Sequence, residues 1–165
     1  MSAPATAFAA AFPAIAPVAA RVLCLGNDLL ADDAFGALAA DHLRERLPAS
    51  VDVVFSTDAG FALMDHVEGV QRLVVVDVML SGKVPPGTVS VYREEELRGA
   101  PGGSPHYVGL FEALALWRRV GLPVPERLAI VVVEAADCLT IGGAMDPAVR
   151  AALPAVSERV EELIG

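Results

Sequence analysis

Three short runs, "RVLCLG" (21–26), "RLVVVDVML" (72–80) and "RLAIVVVE" (127–134), are apolar almost without alternation. A strand with one wet face alternates between apolar and polar residues. A run that is apolar at nearly every position needs cover on both faces, as a central strand does in a parallel sheet flanked by helices. Helical spacing recurs between the runs. Residues 33–47 put Phe35, Leu38, Ala39, Leu43 and Leu47 on one stripe, with Asp41, Arg44 and Glu45 opposite and Pro48 as a stop. Strands alternating with helices predict an α/β fold: a three-layer sandwich, with a twisted five-stranded, mostly parallel sheet and helices on both faces.

The other elements fill that frame. "VDVVFS" (51–56) reads as a strand and "GFALMDHV" as a short helix that Gly69 ends. "TVSVYR" (88–93) alternates and follows the turn-rich "SGKVPPG", so it is expected at an edge, running antiparallel. "REEELRGAPGGS" reads as a flexible loop. Residues 105–120 predict a helix with Leu110, Leu114 and Trp117 on one stripe. Residues 147–164 predict the last helix, with Asp146 as N-cap, Pro147 at its first position and Pro154 expected to bend it. Residues 1–20 are Ala- and Pro-rich and carry no charged side chain. A secretory leader opens with basic residues, whereas here the first Arg is Arg21, so a poorly ordered extension is expected ahead of one domain, 21–165.

Bulk properties remove several classes. No apolar run reaches the ~20 residues that a membrane-spanning helix needs. The net charge is −9 and Lys and Arg are not clustered, which argues against a nucleic-acid partner. Two cysteines, Cys24 and Cys138, do not make a disulfide scaffold, so a reducing compartment, the cytoplasm, is expected.

Ligands of open α/β sheets bind beyond the carboxyl ends of the strands. The first such end reads "GNDLLADDAFG". A dinucleotide fingerprint would put glycines where Cys24 and Leu29 stand, and carboxylates there would repel a pyrophosphate. Asp32 and Asp33 are adjacent, so they do not face each other as a proton-sharing pair. Asp32 is expected to cap the first helix, while Asp33 is free for either a structural or a functional role. Asp77 interrupts an apolar strand, where an uncompensated carboxylate costs several kcal/mol. His106 follows Ser104 and Pro105 at an expected helix start, a place that keeps the imidazole neutral and able to ligate metal. His42 and His66 read as surface or rim residues. Asp33, Asp77 and His106 together form an O,O,N set at one sheet edge, suited to a borderline divalent ion such as nickel or zinc with positions left open. A Cys138–His106 pair is a weaker alternative, and no G-x-S-x-G elbow occurs.

These blocks resemble the hydrogenase maturation endopeptidases, which trim the C-terminus of the nickel-iron hydrogenase large subunit. "VLCLGNDLLADDAFG" is similar to that family's N-terminal signature, "LVVVDVMLSGKVPPGTVSVY" to its strand-Asp-loop-PGT-strand segment, and "SPHYVGLFEAL" to its SPH…GL helix start. Cys24 stands where the family usually has glycine, and "STDAG" (56–60) where it often has a Gly-Gly-Thr-x-Gly-like loop. The resemblance implies a five-stranded α/β fold and a metal-contacting trio, carried over by motif to Asp33, Asp77 and His106. It implies that the partner is the large-subunit precursor and that nickel is carried by that substrate, with cadmium or zinc able to substitute in crystals. A monomer acting without nucleic acid or membrane is expected. A metal-sensing chaperone of the same precursor and a small-molecule hydrolase on a related scaffold are the rival readings.

Overall fold

A computed structural model describes residues 16–97 and 110–165. In chain order it contains β1 (Val18–Leu25), a 3-10 turn (Asp32–Ala34), α1 (Phe35–Arg46), β2 (Val51–Ser56), a second 3-10 turn (Gly60–Leu63), α2 (Met64–Val67) and β3 (Val70–Met79). Then come β4 (Val89–Arg93), α3 (Glu94–Leu97), α4 (Leu110–Arg119), β5 (Arg127–Glu134), α5 (Pro147–Ala151) and α6 (Leu153–Ile164). The five strands form one sheet in the order β2-β1-β3-β5-β4. β1 is parallel to both β2 and β3, and β3 to β5, while β4 runs antiparallel along the edge beside β5, as its alternation predicts.

Successive side chains of a strand go to opposite faces, and each face here has its own core. Val22, Cys24, Val74, Val76, Val131 and Val133 pack with Phe35, Ala39 and Leu43 of α1 and with Val149, Val156 and Val160 of α5 and α6. Leu23, Leu25, Leu73, Val75, Ile130 and Val132 pack on the other side with Met64 and Val67 of α2 and with Leu110, Ala113 and Leu114 of α4. This double cover is the reason the central strands lack alternation.

Some expectations give way. β1 starts at Val18, inside the segment expected to be an extension, because the Val18 backbone N–H donates to the Gly69 carbonyl (2.9 Å) and Ala20 pairs with both Val51 and Arg72. Residues 1–15 lie outside the described ones. Glu94–Leu97, expected as loop, is a helical turn whose Glu94 is held by a two-pronged ion pair from Arg118 (2.6 and 2.7 Å). The disruption expected of Pro154 is a full break: the last helix is interrupted at Ala152, and Pro154 stands in the first turn of α6.

The chain visits β1, then β2 on one side, then crosses to β3 on the other, with α1 and α2 on opposite faces. That reversal is the topological switch point, and ligands of such sheets sit in the crevice it opens at the strands' carboxyl ends. The crevice here lies between the ends of β1 and β3.

Candidate functional site at the switch point

Both flanks of the crevice carry buried acids. Leaving β1, the chain turns at Gly26 and Asn27. The Asn27 carbonyl accepts from Leu30 N–H and the Asn27 side chain from Leu29 N–H, each at 3.0 Å, which closes a tight turn. Gly26 has φ +154°, and a Cβ built on it would stand 2.1 Å from the Asp33 carbonyl oxygen. A Cβ on Gly36 would stand 2.0 Å from the Leu25 carbonyl oxygen. The two glycines let the first turn of α1 seat directly on the end of β1. This close packing fixes where Asp33 can lie. In both cases the obstacle is backbone, which cannot swing aside. Gly36→Ala is therefore expected to cost about 3 kcal/mol or more, read as a lowered melting temperature, and a wild-type melting curve would contradict the close packing.

Asp33 is buried within the 3-10 turn, and that turn lies against β3. Asp77 is fully buried two residues before the end of β3, where its Oδ1 accepts from the Val78 backbone N–H at 2.8 Å. By alternation it shares the face of Leu73, Val75 and Met79, the face that α4 covers. One thiol marks how the acids gather. Cys138 is half-buried, and its thiol is pushed up to about 12, first by burial and then by the carboxylates of Asp33, Asp32, Asp77 and Asp137. A thiol so disfavoured as thiolate does not suit a nucleophile. Alkylation of Cys138 at pH 8 is expected to run more than about tenfold slower than that of a free thiol of pKa ~8.5; peptide mapping after iodoacetamide would show it, and rapid labelling would contradict it.

His106 lies outside the described residues. What is described is the helix that follows it. The Arg118–Glu94 pair holds the far end of α4 at the strands' starts, beside a cavity of about 490 Å³ lined by Arg72, Arg93, Glu126 and Arg127. Leu110, at the other end of α4, therefore faces the carboxyl edge, the edge of Asp33 and Asp77. Among the described residues, no three His, Cys, Asp or Glu side chains form a metal-binding group, so the described part of the candidate trio is the carboxylate pair. His66 is engaged elsewhere: its Nε2 meets Asp58 Oδ2 at 2.8 Å, and this contact, with Ser56, holds the Asp58 carboxyl below its usual range. His42 is half-buried on α1, and Asp28 is exposed on the turn.

Asp32 does something other than cap a helix. Its fully buried carboxylate accepts from the backbone N–H of Ala136 (2.7 Å) and Asp137 (2.8 Å) through Oδ2, and from that of Asp146 (2.7 Å) through Oδ1. It ties the whole loop after β5 to the turn after β1. The backbone continues the clip: Asp32 N–H donates to Asp137 O, Ala31 N–H to Thr140 O, and Gly142 N–H to Leu29 O. Glu134 plays the same part after β3. Its buried carboxylate accepts from Ser81 N–H (2.9 Å), Ser81 Oγ (2.8 Å) and Gly82 N–H (2.8 Å). Sequence reasoning passed over Glu134; the one signal was an acid closing an apolar strand. Two buried carboxylates thus brace the loops that follow the carboxyl ends of β1, β3 and β5.

Comparison with known proteins finds similarity to hydrogenase maturation proteases in sequence and in fold. The family model HycI, hydrogenase maturation protease, matches residues 39–163. Hydrogenase 2 maturation protease of Escherichia coli is 31% identical over 154 residues, covering 87% of this chain and 93% of that protein. The hydrogenase expression/formation protein HupD of Rhodobacter capsulatus is 30% identical over 157 residues, covering 92% and 74%. Among solved structures, the hydrogenase maturating endopeptidase HybD from E. coli superposes with a TM-score of 0.74 at 29% identity, over 86% of this chain and 89% of that one.

Proposed function

This chain belongs to the hydrogenase maturation protease family, and on that premise we propose that it is the endopeptidase that removes the C-terminal extension of a nickel-iron hydrogenase large-subunit precursor once nickel is in place. The observation that carries the proposal is the pair of buried carboxylates, Asp33 and Asp77, at the two lips of the switch-point crevice. Two carboxylates gathered at one crevice give it the anionic oxygen donors that suit a cation. A divalent ion presented by the substrate is such a cation. Asp33 and Asp77 supply hard oxygen donors and His106 a neutral imidazole, a mixed set that suits a borderline cation and leaves its other positions to the precursor's own ligands. The held cation supplies Lewis acidity at the scissile peptide, on its carbonyl or on an attacking water.

The chain's own residues do the positioning. Gly26 and Gly36 set Asp33 against the sheet, β3 sets Asp77, and the direction of α4 supports placing His106 at the same edge. The reading puts the protein in the cytoplasm, which two free thiols suit; among the described residues no helix is long and apolar enough to cross a membrane. The test is intact-mass spectrometry of purified precursor, with and without nickel, after incubation with this protein. Loss of a C-terminal peptide from the nickel-loaded form alone is expected. Cleavage of both forms would remove the metal from recognition, and a stable uncleaved complex would favour a chaperone.

A further inference from the structure

The described residues include eight large apolar side chains that are exposed: Leu29, Phe61, Leu80, Val84, Leu116, Val120, Leu139 and Ile141. Six of these follow the carboxyl ends of the four parallel strands: Leu29 after β1, Phe61 after β2, Leu80 and Val84 after β3, and Leu139 and Ile141 after β5. Only Leu116 and Val120 stand elsewhere, toward the far end of α4. Scattered exposed apolar residues need no explanation, but a collar of them around one crevice does.

Leu29, Leu139 and Ile141 are the sharpest case, exposed by 65%, 79% and 81%. Their loops are not loose. Leu30 and Ile141 form a β-bridge, and Asp32 fastens the base of the second loop. The Asp137 carboxylate accepts from the Leu139 and Thr140 backbone N–H groups and from the Thr140 hydroxyl. Apolar side chains held out to solvent by a braced backbone lose little freedom when a partner covers them, which is how a preorganised contact surface is built.

We infer that the loops 27–32 and 137–142 form a docking shelf for the body of the precursor, with Leu139 and Ile141 as its anchors, distinct from the acids that take the metal. This rests on the protease reading above, and it adds a second recognition element: the apolar protein surface next to the scissile tail. Continuity decides the occupant. The segment between β1 and α1 carries both Leu29 and Asp33, and Leu30 is bridged to Ile141, so a protein whose metal reaches Asp33 comes up beside Leu29, Leu139 and Ile141.

The test uses the full chain and the nickel-loaded precursor, with affinity measured by surface plasmon resonance and cleavage by mass spectrometry. Leu139→Ser with Ile141→Ser is expected to weaken precursor binding and raise KM by about tenfold or more, with kcat within about twofold and the melting temperature unchanged. The control pair Leu116→Ser with Val120→Ser is expected to leave binding and KM unaltered. Single Leu139→Lys repeats the test with a charge. Wild-type binding and KM in both shelf variants would overturn the inference, as would an equal loss in the control pair. Binding without any cleavage would sink the protease reading while affinity still decides the shelf, and a wild-type chain that neither binds nor cleaves sinks both.

Discussion

Asp77→Asn is expected to lower precursor processing by roughly 10³-fold, the equivalent of about 4 kcal/mol, while the melting temperature changes little. The two halves of that result come from one fact. The asparagine keeps the shape, and its carbonyl still accepts from the Val78 backbone N–H, so the strand has no reason to shift. What vanishes is a charge in a fully buried place. Removing it takes an anionic donor from the cation. A residue buried for packing would show the reverse, with lost stability and surviving activity. Asp33→Asn is expected to behave alike, and His106→Ala to abolish processing with the fold intact. Full activity in any of the three removes that residue from the site. Loss of activity with the fold kept is the sign of a group placed for chemistry rather than for folding.

Asp32, its sequence neighbour, is expected to respond in the opposite way. In Asp32→Ala three backbone N–H groups, of Ala136, Asp137 and Asp146, lose a charged acceptor at once. Hydrogen bonds to charged groups contribute about 1.5–3 kcal/mol each and are not additive, and water entering the gap recovers part of the loss. A net cost of about 4 kcal/mol is expected, which for a chain of this size lowers the melting temperature by roughly 8–16 °C. The loop from Ala135 to Asp146 should lose protection in hydrogen exchange, while β1 and β3 keep theirs until global unfolding. An unchanged melting curve would mean that the carboxylate does not brace the loop. Two adjacent acids thus separate cleanly: one variant is stable and inactive, the other unstable.

This contrast also shows where sequence reading stops. The core is local information. β2 and β5 coincide with "VDVVFS" and "RLAIVVVE", and β4 lies antiparallel at the edge because its alternation fits one covered face. Asp77 stood out because an acid in an apolar strand conflicts with its surroundings. The Asp146 cap was legible for the same reason: its acceptor role is met two residues on, at Ala148 N–H (2.7 Å). Asp32 was misread as a helix cap because its partners lie 104, 105 and 114 residues away along the chain, where no local pattern reaches. Glu134 was missed likewise, since its partners sit beyond another strand. The beginning of β1 was invisible because alanines carry little strand preference, and only pairing with β2 and β3 recruits them. The switch point itself is a property of strand order, which follows from how three strands pair rather than from any one stretch of residues.

The central claim is that two carboxylates and an imidazole from separate parts of the chain hold one divalent cation. Anomalous diffraction from crystals soaked in nickel addresses it directly. The account predicts one peak at the crevice, with Asp33 and Asp77 oxygens and a His106 nitrogen each about 2.0–2.2 Å away, and no peak there in Asp77→Asn crystals. Nickel bound elsewhere on the protein with these three side chains apart from one another, or a peak that survives the substitution unchanged, would contradict it.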